Sequence, residues 1–333
     1  MLKVGIIGAG RLGNVHADNL AKIEDVKLEA VYDIAEQPAR TMSEKFGPVI
    51  CNSAEELAAR VDVVVVASPS DCHIEGVRAA VQAGKAVFTE KPFCRRQDQL
   101  EDYRELLKGF DKTFGIGFVR RHMLKTQMVK KMLDDGKIGR IRYCNIDLPF
   151  GAFRRMYGDW FADYSRSGGV ILDMLAHHID LCCWFFGRPK RVYAQSMMLD
   201  PAQTLPSDYV SSTVTFENGV IVNFMCAWQR FGRSGERMEI YGEKGAITMT
   251  GEEAVGFAEL DKEPVMLNAA ELASGSGVSN VNVGNGFLLE MQNFTRAVRD
   301  NSAFAPGIPE AYASFELAEA MMRSAETNKL IEL

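Results

Sequence analysis

The 333-residue sequence is poor in the features that mark several classes of protein. No apolar run reaches the ~18 residues that a membrane-spanning helix requires. Basic residues occur at most as pairs such as Arg95-Arg96, and the net charge is −6, which argues against nucleic acid or an anionic membrane as the main partner. The seven cysteines are odd in number and show no CxxC spacing, which argues against a disulfide framework and against a zinc site.

From the start of the given sequence we expect no secretory leader. Met1-Leu2-Lys3 leads directly into a predicted strand, without the charged, apolar and cleavable regions of a signal peptide. We therefore expect a soluble, reduced, cytoplasmic protein. Apolar residues make up 47% of the chain and charged residues 25%, which are ordinary globular values that exclude disorder, collagen and a coiled coil. At this length the chain is expected to form two domains.

The first third of the chain alternates short apolar strands with helical patterns. Apolar strands that are separated by helices form a parallel sheet, which the helices cover on both faces. The sequence therefore predicts a doubly wound α/β Rossmann-type domain over residues 1–121. The predicted strands are Val4–Ile7, Lys27–Tyr32, Val61–Ala67, Ala86–Phe88 and Thr113–Gly117, and the predicted helices are Leu12–Ile23, Ala35–Phe46, Ile74–Gln82 and Asp98–Lys108.

After about residue 122, successive strands replace this alternation. Asn218-Gly219 lies between two of them and is typical of a type I′ hairpin turn, in which both residues have positive φ. We therefore predict an α+β domain over residues 122–333 with a large open antiparallel sheet. The polar segment Ser274–Gly286 is either a mobile lid or a plain connector. The other predicted elements are the helices Leu124–Asp135, Phe287–Arg299 and Ala311–Asn328 and the strands Tyr209–Phe216, Val220–Trp228, Arg237–Tyr241 and Ala246–Thr250.

A GxGxxG motif runs from Gly8 to Gly13, directly after a predicted strand and at the start of a predicted helix. In this context the motif binds a dinucleotide: the first glycine makes a tight turn, the second admits the pyrophosphate, and the third lets the helix pack against the strand. Asp33 ends the second strand, where its carboxylate would bind the adenosine ribose and repel a 2′-phosphate. NAD is therefore predicted rather than NADP, with contacts from Gly8, Gly10, Arg11, Leu12, Gly13 and Asp33.

Two further motifs follow predicted strands, at the carboxyl edge where open α/β sheets bind ligands. Ser68-Pro69 is either a cofactor contact or a structural turn. His73, at the start of the next helix, is either directed at the ligand or merely solvated. Glu90-Lys91-Pro92 includes a proline, the residue type before which cis peptide bonds occur. It places Lys91 where a nicotinamide ring would lie, although on spacing alone a surface lysine is the alternative.

In the second half, the predicted helix Val170–Phe186 carries Asp173, His177 and Asp180 at positions i, i+4 and i+7, which lie on one stripe. Such a stripe on an apolar helix is costly unless its members pair with one another or with a ligand. A carboxylate one turn from an imidazole orients the ring and stabilises its protonated form, as the acid/base of a dehydrogenase requires. The alternatives are a surface pair without a role, a core histidine or a metal site, and the metal site is disfavoured by the ligand set.

Taken together, these residues resemble the Gfo/Idh/MocA family, the glucose–fructose oxidoreductase and inositol dehydrogenase group. The resemblance extends over nearly the whole chain. Its motifs are Gly8–Gly13 with His16, Ser68-Pro69 with His73, Glu90-Lys91-Pro92, Gly117-Phe118-Val119-Arg120-Arg121, Gly136-Lys137-Ile138-Gly139, Gly168-Gly169 with Asp173, His177 and Asp180, and Ser324-Ala325 before Leu330.

The resemblance implies a Rossmann domain followed by an open sheet, and a homodimer or homotetramer that associates through the outer face of that sheet. It also implies oxidation of a secondary hydroxyl of a sugar or cyclitol, with NAD as the hydride acceptor. In that reaction His177 takes the hydroxyl proton, Asp173 holds the imidazole, and Lys91 hydrogen-bonds the same oxygen.

The remaining site residues follow from the same resemblance. Asp180 would bind a neighbouring hydroxyl, and Arg120 or Arg121 would line the cleft, unless the second arginine packs near the nicotinamide. The segment Leu148–Asp159 is expected to form part of the substrate wall. The further predicted cofactor contacts are Ser68, Pro69, His73, Glu90, Lys91 and Arg121, and the predicted substrate contacts are Lys91, Arg120, Arg155, Tyr157, Asp173, His177 and Asp180, with Arg154 beside them.

Two departures leave the substrate open. His122 and Met123 follow the paired arginines, where inositol dehydrogenases typically carry an aromatic residue and an acid, and His178 stands where they often have Asp. One alternative is an NAD-dependent glycosidase of the same fold, which oxidises its substrate transiently before eliminating the glycosidic bond. The other is a non-catalytic sugar or dinucleotide sensor, which would not need Lys91, Asp173 and His177 together.

Overall fold

The computed structural model describes residues 1–149, 160, 163–199, 207–228, 235–250, 254–268 and 285–333. The chain divides into two units, the first comprising Met1–Val119 with Gly286–Tyr312 and the second Arg120–Asn285 with Ala313–Leu333. Among the described residues, no single helix has the length and apolar character to cross a membrane. Tyr164–Met174 and Ala176–Phe186 meet that measure of length and composition only as a pair, which is bent by 43°.

Helices and strands alternate in the first part of the chain and separate into groups later. The described strands are β1 (Leu2–Ile7), β2 (Val26–Tyr32), β3 (Val49–Ile50), β4 (Val63–Val66), β5 (Ala86–Thr89), β6 (Phe114–Ile116), β7 (Ile141–Pro149), β8 (Pro189–Met197), β9 (Tyr209–Phe216), β10 (Ile221–Ala227), β11 (Arg237–Gly242), β12 (Gly245–Thr250), β13 (Ala254–Glu259), β14 (Val265–Asn268) and β15 (Ile331–Glu332). The described α-helices are α1 (Arg11–Leu20), α2 (Glu36–Phe46), α3 (Ala54–Arg60), α4 (His73–Gln82), α5 (Gln97–Leu106), α6 (Leu124–Asp134), α7 (Tyr164–Ser167), α8 (Ala176–Phe186), α9 (Gly286–Arg299) and α10 (Ile308–Thr327).

The first unit is built on a six-stranded parallel sheet in the order β3-β2-β1-β4-β5-β6. All four valines of β4 are buried, as expected for a strand that is covered on both faces. The predicted doubly wound α/β fold is thereby confirmed. The sequence pattern missed α3, a short helix that Ser53 caps by accepting the Glu56 N–H at 3.1 Å.

Helix α9 belongs to the first unit, although it comes late in the chain. It packs against α1, and the ring of Phe294 lies 5.2 Å from that of Phe88 in an edge-to-face contact. A Cβ at Gly115 of β6 would lie 2.8 Å from the Phe294 ring, so this close approach needs glycine. The structure therefore differs from the predicted domain boundary at residue 121, because α9 belongs to the first unit. The apolar face of a helix does not by itself indicate which sheet the helix covers.

The second unit contains a nine-stranded sheet in the order β14-β13-β12-β11-β7-β10-β9-β8-β15. Most neighbouring strands are antiparallel, as predicted, but the central pair β7 and β10 is parallel. The sheet is therefore mixed rather than wholly antiparallel. Hairpin signals predict only the strands that are joined directly, and β7 and β10 lie far apart in sequence.

The hairpin between β9 and β10 forms where Asn218-Gly219 predicts it, but its turn is of a different type. Gly219 has a φ of +88°, whereas the φ of Asn218 is not positive. The turn is therefore not type I′. The N–H of Gly219 donates to the Phe216 carbonyl at 2.9 Å, and the Asn218 side chain accepts the N–H of Val220. A turn that is followed by a glycine in the left-handed conformation is typical of a three-residue hairpin loop.

Candidate active site

The glycine motif forms the turn between β1 and α1. Gly8 has a φ of +96°, and a Cβ there would lie 2.6 Å from the main chain of Ala67 and Ser68. A Cβ at Gly13 would lie 2.0 Å from the Gly8 carbonyl oxygen, whereas one at Gly10 would meet nothing within 4 Å. The loop is therefore open at Gly10, where the first N–H groups of α1 are available to an anion. These residues fit the pyrophosphate of a dinucleotide.

Asp33 lies beside this loop, as its predicted contact with the ribose requires. Its Oδ2 accepts the N–H of Ala9 at 2.7 Å, and its Oδ1 accepts the N–H of Ala35 at 2.8 Å. A carboxylate has about four lone-pair sites, so both oxygens retain the capacity to accept a hydroxyl. The same carboxylate therefore shapes the glycine loop, and its contact with the ribose stays a prediction.

The predicted catalytic lysine follows β5 in Glu90-Lys91-Pro92, where the Lys91–Pro92 peptide bond is cis. Lys91 is half-buried, whereas Glu90 is buried. The Glu90 Oε1 lies 2.7 Å from the Nε2 of His16, and its Oε2 accepts the N–H of Lys91 at 3.1 Å. Burial raises the pKa of Glu90, but the hydrogen bond from His16 and the charges of His16 and Lys91 lower it below the ordinary value overall. Glu90 is thus an ionised group that supports the Lys91 main chain.

His73, at the start of α4, is buried rather than solvated. Its Nδ1 lies 3.0 Å from the Pro92 carbonyl oxygen and its Nε2 lies 2.9 Å from the Ser68 carbonyl oxygen. Burial lowers the pKa of His73, opposed mainly by the Glu90 carboxylate. The geometry therefore favours a role for His73 and Glu90 within the protein framework over the cofactor contacts that the sequence predicts for them.

Glu290 on α9 is a buried acid that the sequence analysis does not predict as a site residue. It is fully buried, and neither of its carboxylate oxygens has a hydrogen-bond partner among the described residues. Burial, and then the charge of Glu90, raise its pKa well above the ordinary value, which favours the protonated form of this carboxyl group. A signal was present, because Glu290 falls on the apolar stripe that Phe287 and Phe294 define at helical spacing.

In the second unit, the predicted helix Val170–Phe186 is interrupted. Val170–Met174 forms a π-helical turn that meets α8 at Leu175, so the regular spacing of Asp173, His177 and Asp180 does not run through it. Asp173 and His177 are partly exposed, whereas the flanking Leu172, Leu175 and His178 are buried. This segment therefore presents an imidazole and a carboxylate from an otherwise apolar surface, and π-helical turns are frequent at functional sites.

Arg121 and Asp180 form a bidentate ion pair. The Arg121 Nε and Nη2 donate to the two oxygens of Asp180 at 2.8 and 2.7 Å, and the guanidinium lies 5.1 Å from the ring centre of Trp184. Arg121 is 5% exposed and Asp180 1%. The geometry thus favours a structural ion pair over the predicted contacts of Asp180 with substrate and of Arg121 with the cofactor.

Arg120 pairs with Glu236, which also lies 3.3 Å from the Nε2 of His178. Burial raises the pKa of Glu236, but His178 and Arg120 outweigh it and lower the pKa well below the ordinary value. Burial lowers the pKa of His178. No sequence pattern indicated Glu236, which lies far along the chain from both partners.

The structure does not test every predicted site residue. Arg154, Arg155, Tyr157 and residues 274–284 of the predicted lid or connector lie outside the described residues. Lys91 belongs to the first unit, and Asp173 and His177 belong to the second. Within the described part of the chain, no cluster of three or more His, Cys, Asp or Glu side chains forms a candidate metal site.

Comparison with known proteins places these features in a family. Residues 2–118 match the oxidoreductase family with an NAD-binding Rossmann fold, and residues 126–248 match the GFO/IDH/MocA C-terminal domain. The myo-inositol 2-dehydrogenase of Thermotoga maritima is 31% identical over 74% of this chain and 74% of its own length. The chain belongs to the Gfo/Idh/MocA family. It is accordingly an oxidoreductase whose first unit is an NAD-binding Rossmann domain, which confirms the predicted cofactor.

Other known proteins match this chain over its full length. The inositol 2-dehydrogenase of Rhizobium meliloti (strain 1021) is 28% identical over 100% of this chain and 99% of its own. The D-glucoside 3-dehydrogenase of Escherichia coli (strain K12) is 27% identical over 100% and 97%. A levoglucosan dehydrogenase in complex with NADH and levoglucosan superposes with a TM-score of 0.91 over 99% of both chains, at 20% sequence identity. This last likeness supports the fold alone.

Replacement of Asp33 by serine is expected to raise the NADP/NAD ratio of kcat/KM by between about fivefold and a thousandfold, because two like charges about 4 Å apart repel by roughly 1 kcal/mol in water and roughly 4 kcal/mol near a protein surface. Steady-state kinetics with each cofactor measures the ratio. Asp62→Ser is the matched control, since Asp62 also accepts a main-chain N–H, from Lys3, but lies outside the glycine loop. An unchanged ratio in Asp33→Ser would remove Asp33 from the ribose contact.

Replacement of Glu290 by glutamine is expected to stabilise the first unit at alkaline pH. A carboxyl group whose folded pKa is raised contributes its full stability below the unfolded pKa of about 4.3 and loses it as pH rises, at about 1.4 kcal/mol per pKa unit. Glutamine resembles the protonated acid and does not titrate. Urea unfolding should therefore show little difference at pH 4 and a gain for Glu290→Gln at pH 8. The exposed Glu101→Gln is the control, and an equal effect of Glu290→Gln at both pH values would contradict a neutral Glu290.

Proposed function

We propose that the protein is an NAD-dependent dehydrogenase that oxidises a secondary hydroxyl of a cyclitol or sugar. The observation that carries the proposal is the partial exposure of Asp173, in the π-helical turn, and of His177, in the first turn of α8. The neighbouring polar side chains His178 and Asp180 are buried. The relatives named inositol 2-dehydrogenase and D-glucoside 3-dehydrogenase, which match over the whole chain, support this class of substrate.

Each residue of the proposed site has a distinct chemical task. When bound, NAD supplies the acceptor for the hydride of the carbinol carbon. His177 accepts the hydroxyl proton as general base, and Asp173 orients the imidazole and stabilises its cationic form. Lys91 donates a hydrogen bond to the same oxygen, which stabilises the negative charge that develops there. In the opposite direction His177 would return the proton to the oxygen of a ketone, whose carbon would receive the hydride from bound NADH.

The paired arginines have a supporting task in this proposal. Arg121 is held by Asp180, and Arg120 by Glu236, so both guanidinium groups are fixed in position before any substrate arrives. Fixed donors are the arrangement that recognises a polar substrate without a further loss of side-chain freedom. Arg120, which is less buried than Arg121, is the better candidate for a direct substrate contact.

The experiment is a substrate survey that follows NADH by absorbance at 340 nm. NAD and then NADP are supplied with a panel of myo-inositol and other cyclitols, aldoses, uronic acids, levoglucosan and alkyl glucosides. A rise with one of these classes and NAD supports the proposal and identifies the substrate. If no compound raised the absorbance at 340 nm, and NAD were retained by the purified protein, the proposal would be contradicted. Cleavage of a glycoside without net NADH would then favour the glycosidase, and sugar binding without turnover the sensor.

We further propose that the protein is a homodimer or homotetramer that associates through the outer face of the nine-stranded sheet. That face exposes Tyr143, which stacks on Tyr241 at 4.5 Å, together with Tyr193 and Ile221. Exposed aromatic and aliphatic side chains on one face are typical of an interaction surface. Light scattering should give a multiple of the chain mass, and Ile221→Lys should reduce it, whereas a monomeric wild type would contradict the proposal.

The cytoplasmic location stays a prediction.

A further inference from the structure

The main chain on either side of the Lys91–Pro92 peptide bond is held by two buried side chains of the first unit. On one side, the Lys91 N–H donates to Glu90 Oε2 at 3.1 Å. On the other, the Pro92 carbonyl oxygen lies 3.0 Å from His73 Nδ1. Glu90 and His73 come from different elements, the end of β5 and the start of α4. The dipeptide that carries the proposed catalytic lysine is therefore fixed at both ends by groups that do not themselves face outward.

The second ring nitrogen of His73 connects this dipeptide to the glycine loop. Its Nε2 lies 2.9 Å from the carbonyl oxygen of Ser68, and a Cβ at Gly8 would lie 2.6 Å from the main-chain N of the same Ser68. Carbonyl oxygens only accept hydrogen bonds, so each contact of the ring requires a proton on the nitrogen concerned. A neutral imidazole satisfies one of the two contacts, and the imidazolium satisfies both.

The charges around His73 are those of Glu90 and Asp71, and both favour the cation, whereas burial disfavours it. Glu90 is itself bonded to His16 on α1, the helix that the glycine motif begins. Phe88 and Phe287 contact the His16 ring edge-on at 5.4 and 5.9 Å, which limits its movement. The main chain around Lys91 is therefore connected to helix α1 through His16, and through His73 to Ser68, which lies against Gly8 of the glycine loop.

We infer that His73 is a positioning residue for Lys91. It fixes the lysine segment by bonding the Pro92 carbonyl, and its contact with the Ser68 carbonyl holds the same ring near the glycine loop. This inference rests on the proposed catalytic role of Lys91. It assigns His73 a role in turnover rather than in cofactor affinity, because the ring reaches the lysine segment through the main chain and has no nitrogen left for NAD. A misplacement of about 1 Å at a reacting group costs roughly a hundredfold in rate.

A matched pair of substitutions separates the two contacts of the ring. Asparagine places its amide nitrogen near the Nδ1 position, so His73→Asn keeps a donor for the Pro92 carbonyl. Glutamine reaches the Nε2 position, so His73→Gln keeps a donor for Ser68 only. We expect kcat to be about tenfold or more higher in His73→Asn than in His73→Gln, with similar Kd values for NAD and similar melting temperatures.

A second readout does not depend on turnover. Brief acetylation with acetic anhydride, followed by mass spectrometry, measures the reactivity of Lys91 relative to the exposed Lys22. The relative labelling of Lys91 should change by about threefold or more in His73→Gln and remain near the wild-type value in His73→Asn, since amine reactivity follows local environment. Equal labelling and equal kcat in the two variants would overturn the inference, because a merely structural histidine would lower stability in both alike.

Lys91→Met, measured in parallel, distinguishes this inference from the proposed function. If Lys91→Met keeps wild-type turnover, the proposed role of Lys91 fails. If Lys91→Met loses turnover while the two His73 variants do not differ, only the inference fails. Should neither His73 variant fold, Glu90→Gln and Glu90→Met make the same comparison, since glutamine keeps an acceptor for the Lys91 N–H and methionine does not. Equal labelling of Lys91 in those two variants would then overturn the positioning of Lys91 by its buried neighbours.

Discussion

Replacement of His177 by glutamine, or of Lys91 by methionine, is expected to lower kcat by about 10²- to 10⁴-fold, because each variant removes a group that moves or stabilises the reacting proton. The Kd for NAD should change little, since the predicted contacts with the pyrophosphate and the ribose are made by the glycine loop and by Asp33. Steady-state kinetics on the substrate that the survey identifies, together with fluorescence titration of NADH, measures both quantities. This result would support the acid–base roles proposed for the two residues.

The control is the adjacent histidine. His178→Gln makes the same chemical change one position along the helix, but at a buried ring that lies 3.3 Å from Glu236. It should lower the melting temperature, because it weakens a buried contact, and have a much smaller effect on kcat than His177→Gln. Wild-type turnover in His177→Gln, or equal losses in the two variants, would contradict the role proposed for His177.

Replacement of Asp180 by alanine is expected to destabilise the second unit by about 3–5 kcal/mol, because it leaves the buried Arg121 guanidinium without its carboxylate. Urea unfolding followed by tryptophan fluorescence measures the loss, and one of the three tryptophans, Trp184, lies 5.1 Å from that guanidinium. The double variant Arg121→Met, Asp180→Leu removes both charges and should recover most of the stability.

An exposed ion pair provides the comparison for this loss. The side chains of Arg96 and Asp98 are 52% and 67% exposed, and Asp98→Ala should cost less than about 1 kcal/mol. If Asp180→Ala were as mild as Asp98→Ala, the bidentate pair would not be a structural element, and the predicted contact of Asp180 with substrate would regain support.

The parts of the site that the sequence predicts are those set by local sterics. Gly8 and Gly13 are required because a Cβ would collide with neighbouring main chain. For Gly13 this neighbour is the Gly8 carbonyl of the same turn, and for Gly8 it is Ala67 and Ser68, which follow the adjacent parallel strand β4. Asp33 is likewise determined by the end of the adjacent parallel strand. The Rossmann domain and its cofactor were therefore predictable from short segments of the chain.

The parts that were missed depend on contacts between distant segments. Glu290 meets the charge of Glu90 only because α9 returns to the first sheet, and Glu236 meets Arg120 and His178 across a similar separation in sequence. The parallel pairing of β7 with β10 has the same origin. The break at Leu175 is different, since the apolar pattern of residues 170–186 fits an unbroken helix as well as it fits a π-helical turn.

The discontinuity of the first unit has a consequence for the order in which the chain matures. The ribosome releases residues 1–119 long before Gly286–Tyr312, so the nascent Rossmann sheet emerges without the helix that covers Phe88 and Gly115. Domains generally fold as units during synthesis, but this one lacks part of its core until nearly all of the polypeptide has been made. A chain truncated before α9 should accordingly expose that apolar surface and aggregate. The cofactor-binding unit therefore cannot be obtained by a single truncation of the chain.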